Sequence, residues 1–330
     1  MAYLDPANQK FVDSLAGGQP LYEKSFVDAR QLLEDIQGFK PAPDVSQERI
    51  SIEVNGAPVE TVIFRPAKAT GTLNMIFYTH GGGWILGSPS VHGTLMEDFV
   101  RQTDAAVVFP YYTPAPEAQY PTQFEQSYGV LEHVVKNGDK FKLKTDQFGL
   151  AGDSVGAGSS FGEALATNRN LGNMAIAMTQ LATTRKLPAK IGQLVLFYPV
   201  TNTHTKSATY QEFKDGPYLT EKTMDWMINA FLPNVADRSS ALASPLEFAP
   251  DEVLAKFPPT TIFVSGADPL IGEGQAFGQR LQKLGVDAAT FKAEGVIHDF
   301  ALLEPIRNTA TPRAATEFAS FKLLKAFSSK

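Results

Sequence analysis

Short, continuously apolar runs recur along most of this chain, separated by stretches with helical spacing. Residues 73–78, 105–110, 147–151, 193–198, 260–265 and 288–292 are such runs, rich in aliphatic and β-branched side chains. They lack the strict alternation of a strand with one wet face, so they predict strands of a parallel sheet covered on both sides. Helical spacing is clearest over 122–136, 274–284 and the tail from Thr311, with a further piece over 29–36. Residues 49–54 and 59–64 instead alternate around Asn55-Gly56, a turn pair that predicts a β-hairpin. The pattern therefore predicts an α/β fold. A mostly parallel central sheet carries helices on both faces and is led by an antiparallel hairpin. Over 201–245 the strand pattern stops, and helical pieces such as 221–231 appear with several aromatic residues. That segment reads as an insertion over the top of the sheet and not as a separate domain.

Composition narrows what such a fold does. Of 330 residues, 43% are apolar and 19% charged, enough to build a sizeable core. The net charge of −6, with no basic run, argues against nucleic acid as a main partner. The chain has no cysteine, which removes disulfides, thiolate catalysis and cysteine-based metal sites. Apolar runs fall far short of the roughly 20 residues of a membrane span. Residues 1–10 lack the charged start and apolar run of a signal peptide, so a cytoplasmic location is the expectation.

The chemistry-bearing residues sit where the predicted strands end. Gly152-Asp153-Ser154-Val155-Gly156 follows the run at 147–151 and matches G-x-S-x-G. In such a match a serine occupies a strained strand-to-helix turn, with small neighbours that let the turn pack closely. A second match, Gly158 to Gly162 around Ser160, overlaps it but lies further from the strand, in a helix-capping context with Glu163. Ser154 is therefore the candidate nucleophile. His80-Gly81-Gly82-Gly83-Trp84 follows the run at 73–78. Consecutive glycines are entropically costly, but they let backbone N–H groups converge on one point, as a developing oxyanion requires. Gly82, Gly83 and the N–H of Val155 are the candidate donors. A phosphate loop is the alternative, but the Lys-Ser/Thr of such a loop is missing.

Five histidines are present, and His298, in a glycine-flanked loop after the last run, is the candidate general base. Asp268, in Ala267-Asp268-Pro269-Leu270 after the run at 260–265, is the candidate acid. An Asp-Pro pair is also a turn signal. The order Ser154, Asp268, His298 is that of α/β-hydrolases and not of trypsin-like or subtilisin-like proteases. Glu273 and Asp299 are rival acids. Glu273 lies beyond the turn, and Asp299 points away from the base if the loop is extended. With an ordinary imidazole pKa of about 6.5, activity should rise through weakly acidic pH to a plateau above neutrality.

Taken together these residues resemble the hormone-sensitive-lipase-like family of esterases. Its HGGG[FW] loop is matched by His80 to Trp84, and its G-D-S-A-G-G-N elbow is similar to Gly152 through Gly156. Its Y-R-L-A-P-E element is partly matched by Tyr112 to Glu117, and its A-D-P-L and H-G-F elements resemble Ala267 to Leu270 and His298 to Phe300. The resemblance implies an α/β-hydrolase fold with a helical cap and hydrolysis of small-molecule carboxylic esters. No metal and no organic cofactor is implied, and a homodimer is left open. The implied division is 1–45 as the first part of the cap, 46–200 and 246–330 as the core, and 201–245 as the second part of the cap.

Three departures stand out. Thr113 replaces the family's arginine, so whatever that arginine braces must be braced otherwise. Asp299 stands where the family has glycine. Gly172-Asn173-Met174 resembles the family's continuation of the elbow but arrives late, so 157–171 reads as an insertion behind the nucleophile. The alternative is that residues 160–167 form the elbow helix and 173–181 a second one. Translated non-coding sequence is one origin for the insert, since Thr167-Asn168 can be encoded by ACTAAC. An insertion there threatens the oxyanion donor of Val155 more than it threatens folding. A catalytically impaired ligand-binding protein or receptor is accordingly the competing function, although His298, lost in the plant gibberellin receptors that resemble this family, is present. Short to medium acyl esters are the expected substrates, with Trp84, Tyr198, Phe213, Tyr218 and Trp226 as candidates to narrow the pocket.

Overall fold

The computed structural model describes residues 2–157 and 174–328. Its strands are β1 (Val45–Val54), β2 (Ala57–Pro66), β3 (Leu73–Thr79), β4 (Ala106–Tyr111), β5 (Leu143–Asp153), β6 (Lys190–Phe197), β7 (Thr260–Ala267) and β8 (Ala288–Ile297). They form one sheet in the order β1-β2-β4-β3-β5-β6-β7-β8. β2 is antiparallel to both of its neighbours, and the remaining pairs are parallel. Asn55 and Gly56 take φ of 52° and 78°, the pair of left-handed residues that a two-residue hairpin needs. Met75, Ile76, Phe77 and Tyr78 are buried in succession, as expected for a strand with helices on both faces.

The helices are α1 (Pro6–Leu15), α2 (Phe26–Gln37), α3 (Gly93–Thr103), α4 (Thr122–Lys136), α5 (Met174–Thr184), α6 (Ala208–Glu212) and α7 (Glu221–Phe231). After them come the one-turn α8 (Pro245–Phe248) and α9 (Asp251–Leu254), then α10 (Ile271–Lys283) and α11 (Ala310–Lys325). α3 packs with α11 on one side of the sheet, and α4 packs with α5 on the other. Among the described residues, no helix is long and apolar enough to cross a membrane.

Two differences from the sequence pattern matter for the site. β5 runs on through Gly152 and Asp153, which stay in register with Leu196 and Phe197 of β6. A glycine and an aspartate end an apolar run without ending the backbone ladder, so the pattern stops short of the serine. α1 and α3 were not among the predicted helices, yet α1 carries a clear start signal: the Asp5 side chain accepts from Asn8 N–H at 2.8 Å, with Pro6 in the first turn. The insert expected over 157–171 and the rival Ser160 lie, apart from Ala157, outside the described residues. Met174, the first described residue beyond them, opens α5, whose residues Met174 to Ala182 are buried.

α2 is fixed at both ends. Ser25 caps its first turn by accepting from Asp28 N–H at 3.1 Å, and Gly38 closes it at φ 51°. Its Arg30 reaches the loop that follows Thr113. Arg30 donates to the Ile85 carbonyl at 2.8 Å, to the Ala115 carbonyl at 2.9 Å and, as a fork, to both oxygens of Glu117 at 2.7 Å. Thr113 is tied instead to Gln126, its N–H at 2.8 Å and its hydroxyl at 3.0 Å. The brace on the 113–117 loop thus comes from a helix near the start of the chain.

Candidate active site

Ser154 leaves β5 with φ 51°, a left-handed conformation that costs a non-glycine residue about 1–3 kcal/mol. Its neighbours hold it there. A Cβ on Gly156 would strike the Thr79 carbonyl, and one on Gly152 would strike the Gly156 carbonyl, so both flanks must be glycine. Thr79 Oγ1 donates to the Gly156 carbonyl at 2.6 Å, and the Ser154 carbonyl accepts from Val200 N–H at 3.1 Å.

His298 follows β8 and brings its Nε2 to 2.9 Å from Ser154 Oγ. Its Nδ1 lies 2.6 Å from Asp268 Oδ2, beyond the end of β7, and Asp268 Oδ1 accepts from Leu270 N–H at 3.0 Å. All three side chains are buried. An aspartate at Nδ1 fixes the tautomer that turns the Nε2 lone pair toward the serine. The partner at Nδ1 is Asp268 and not Glu273. Glu273 lies on α10 and accepts from Thr201 and Asn202 N–H at 2.6 and 3.3 Å, which pins the chain leaving β6. Burial pushes its carboxyl up to about 8.

The glycine loop after β3 lies beside the serine. Gly82 and Gly83 have φ of 96° and 63°, and among the described residues neither N–H has an acceptor. A Cβ on Gly83 would press on the Met227 side chain of α7, and the residue's φ of 63° also favours glycine. Asp153 ties the loop to the elbow: its Oδ1 accepts from Gly81 N–H at 2.8 Å and from the Tyr78 hydroxyl at 2.7 Å. Its Oδ2 lies 3.3 Å from His92 Nε2. Against burial, which disfavours charge, His92 holds Asp153 below its ordinary range, and Asp153 in turn lifts His92. His80 stacks flat on Tyr112 at 4.1 Å, and burial, with His92 nearby, drives it down to about 3, so it stays neutral.

Asp299 does not point away from the base. It takes φ 63°, where glycine is easier, and this turns its Oδ1 to 3.5 Å from His298 Nε2. The expectation failed because it assumed an extended loop. Burial, and then this carboxylate, push the Tyr218 phenol well above its ordinary value. Burial opposes charge on His298, but Asp268 and then Asp299 outweigh it and lift the imidazole to about 9. A base raised in this way predicts a rise in activity at higher pH than the weakly acidic range expected from an ordinary imidazole. Burial lifts Asp299 itself to about 6.

A cavity of about 580 Å³ opens over Ser154, Gly82, Gly83 and His298. Its roof comes from the 14–24 stretch, α2, the 217–220 loop and α7, with Leu15, Leu33, Ile36, Leu86, Met224 and Met227 among its apolar walls. Of the aromatic candidates, Tyr218 lines it and Trp84, Tyr198, Phe213 and Trp226 do not. Trp84 is stacked on Phe231 at 4.2 Å, and Tyr198 backs the imidazole, ring to ring, at 4.6 Å. Phe213 borders a separate hollow with Tyr3 and Thr209, and Trp226 stacks on Phe26. Residue type identified them as wall material, but only the fold decides which wall. The amphipathic spacing of Ala29, Leu33 and Ile36 was the available signal for the α2 wall. Among the described residues no group of three or more His, Asp and Glu side chains is placed to hold a metal ion.

Comparison with known proteins agrees with this architecture. The family model described as alpha/beta hydrolase fold matches residues 76–302. An esterase of Gibberella moniliformis is 47% identical over 99% of each chain. The crystal structure of a thermostable esterase from Pseudomonas putida superposes with a TM-score of 0.91 at 30% identity, covering 100% of this chain and 99% of that one. Carboxyl esterase 2 of the mycorrhizal fungus Tuber melanosporum gives 0.85 at 31% identity, covering 98% and 100%.

Proposed function

The chain belongs to the α/β-hydrolase family, among esterases of the hormone-sensitive-lipase type, and on that premise we propose that Ser154, His298 and Asp268 carry its chemistry. The protein is a carboxylic ester hydrolase acting on small-molecule esters. In the proposed route Ser154 Oγ attacks the ester carbonyl while its proton passes to His298 Nε2. The oxyanion is received by the N–H groups of Gly82, Gly83 and Val155. Nε2 then protonates the departing alkoxide, and water, activated by the same nitrogen, releases the acid from the acyl-serine. Asp268 holds the ring and stabilises the imidazolium. The observation that carries this reading is the pair of contacts at 2.9 and 2.6 Å on the two imidazole nitrogens. We assign the roof to a cap made of 1–45 and 201–245 over a core of 46–200 and 246–330.

Short to medium acyl chains follow from the size of the cavity, which suits a ligand of modest length in an apolar, methionine-rich wall. A cytoplasmic location is part of the same proposal and is checked by following ester turnover through cell fractionation. The test of the chemistry is Ser154→Ala, assayed on p-nitrophenyl butyrate beside a thermal melt. Turnover should fall by roughly 10³-fold or more with the melt unchanged. Retained turnover would remove Ser154 from the mechanism.

A further inference from the structure

A carboxylate in the cavity wall, beside the nitrogen that handles the proton, is not needed for ester hydrolysis. Asp299 Oδ1 lies 3.5 Å from His298 Nε2, the face of the ring that also meets Ser154. Its side chain is 15% exposed, and it lines the cavity with Ser154 and His298. Tyr218 lines the same cavity, and burial, followed by the nearby Asp299 carboxylate, pushes its phenol well above the ordinary value. The Asp299 backbone sits at φ 63°, a left-handed conformation that turns its side chain toward the imidazole.

Position decides what the carboxylate meets. Nε2 is the atom that returns a proton to the leaving group, so a group next to Nε2 stands next to the leaving atom. The leaving oxygen of an ester carries only lone pairs and gains nothing from an anionic acceptor. The leaving nitrogen of a secondary amide carries an N–H. After attack on the carbonyl, the nitrogen lone pair must turn toward the proton on Nε2, and its N–H is then directed to the flank. Left without an acceptor in a closed site, that N–H opposes the reaction; met by a carboxylate, it favours it.

We propose that Asp299 is an acceptor for the leaving-group N–H and extends the activity of this site to secondary carboxamides. The inference rests on the Ser154–His298 assignment above. In the step, Ser154 Oγ forms a bond to the amide carbon and its proton moves to Nε2. The C–N bond then breaks, its electron pair stays on nitrogen, and the Nε2 proton joins it, so a neutral amine leaves. Water hydrolyses the acyl-serine as it does for an ester. Asp299 accepts the N–H throughout and exchanges no proton.

The experiment compares kcat/KM for p-nitrophenyl butyrate and for the matching p-nitroanilide, using the full chain at pH 8, where Asp299 is ionised. Asp299→Gly relieves the backbone, and Asp299→Asn keeps one acceptor oxygen in a residue that tolerates left-handed φ, so both should fold. The readout is the anilide-to-ester ratio, which cancels any change in the shared base. We expect the wild type to cleave the anilide, Asp299→Gly to lower the ratio by about tenfold or more, and Asp299→Asn to lower it less. A wild type that cleaves the ester but not the anilide, or a ratio unchanged in both variants, would overturn the proposal. Ester turnover surviving Ser154→Ala would instead overturn the triad assignment, so the two failures are distinct.

Discussion

Ser154, Asp268 and His298 follow the ends of the parallel strands β5, β7 and β8, while the roof above them is assembled from the start and the middle of the chain. The floor is fixed by backbone registers and buried hydrogen bonds of 2.6 to 2.9 Å. The roof rests on amphipathic helices, with Arg30 as a half-exposed strap reaching from α2 to the loops after the glycine run. The contrast separates two jobs. On the proposed reading, the sheet sets where bonds form and break. The helices set what fits and which flank of the leaving group is met. A change in the floor should therefore appear in kcat, and a change in the roof chiefly in KM and substrate choice.

The largest effect should come from the floor. His298→Ala removes the imidazole that meets Ser154, and steady-state turnover of a soluble ester should fall by roughly 10³-fold or more, in line with other triads. A loss of tenfold or less would mean that another group takes the serine proton, and the separation of floor from roof would fail at its centre.

A smaller effect is expected where the two regions meet. His298 is lifted to about 9 against burial by Asp268 and then Asp299, while Asp153 also raises it. The working form of the base is neutral, so a raised value leaves most of the enzyme in the inactive imidazolium below pH 9. Activity should rise with pH across that range. Asp299→Gly removes one supporting charge, lowers the imidazole value and moves the acid limb of kcat/KM for the ester down by roughly one pH unit or more. An acid limb that stays in place would show that Asp299 does not act on the base.

The smallest effect belongs to the strap. Arg30→Ala leaves the carbonyls of the buried Ile85 and Ala115, and the exposed Glu117, without this donor. We expect a loss of about 1–2 kcal/mol in stability by denaturant melt, with KM raised several-fold and kcat little changed. A large fall in kcat with KM unchanged would place the strap in the floor.

The same division governs what the sequence revealed. Chemistry in the floor was legible because strand ends, glycine runs and chain order are local features. The spacing of Gly152, Ser154 and Gly156, the loop from His80 to Trp84 and the order Ser154, Asp268, His298 all lie open to reading. The roof was not legible in the same way. Nothing local says that Arg30 braces Ile85, Ala115 and Glu117, because the partners are distant in sequence and meet only through the fold. Asp299 was misjudged because its orientation depends on a positive φ that the surrounding residues do not announce. Trp84, Tyr198 and Phe213 were read as pocket walls by type, and each faces a neighbour other than the cavity. α3 went unread although Leu95, Met96, Phe99 and Val100 repeat at helical spacing.

The claim that one serine in the floor carries the chemistry is tested most directly by covalent labelling. A fluorophosphonate should react once per chain, and fragmentation of the peptide that contains Ser154, Ser159 and Ser160 should place the phosphonyl group on Ser154. Label on Ser159 or Ser160, or an enzyme that hydrolyses esters without taking up label, would contradict the account.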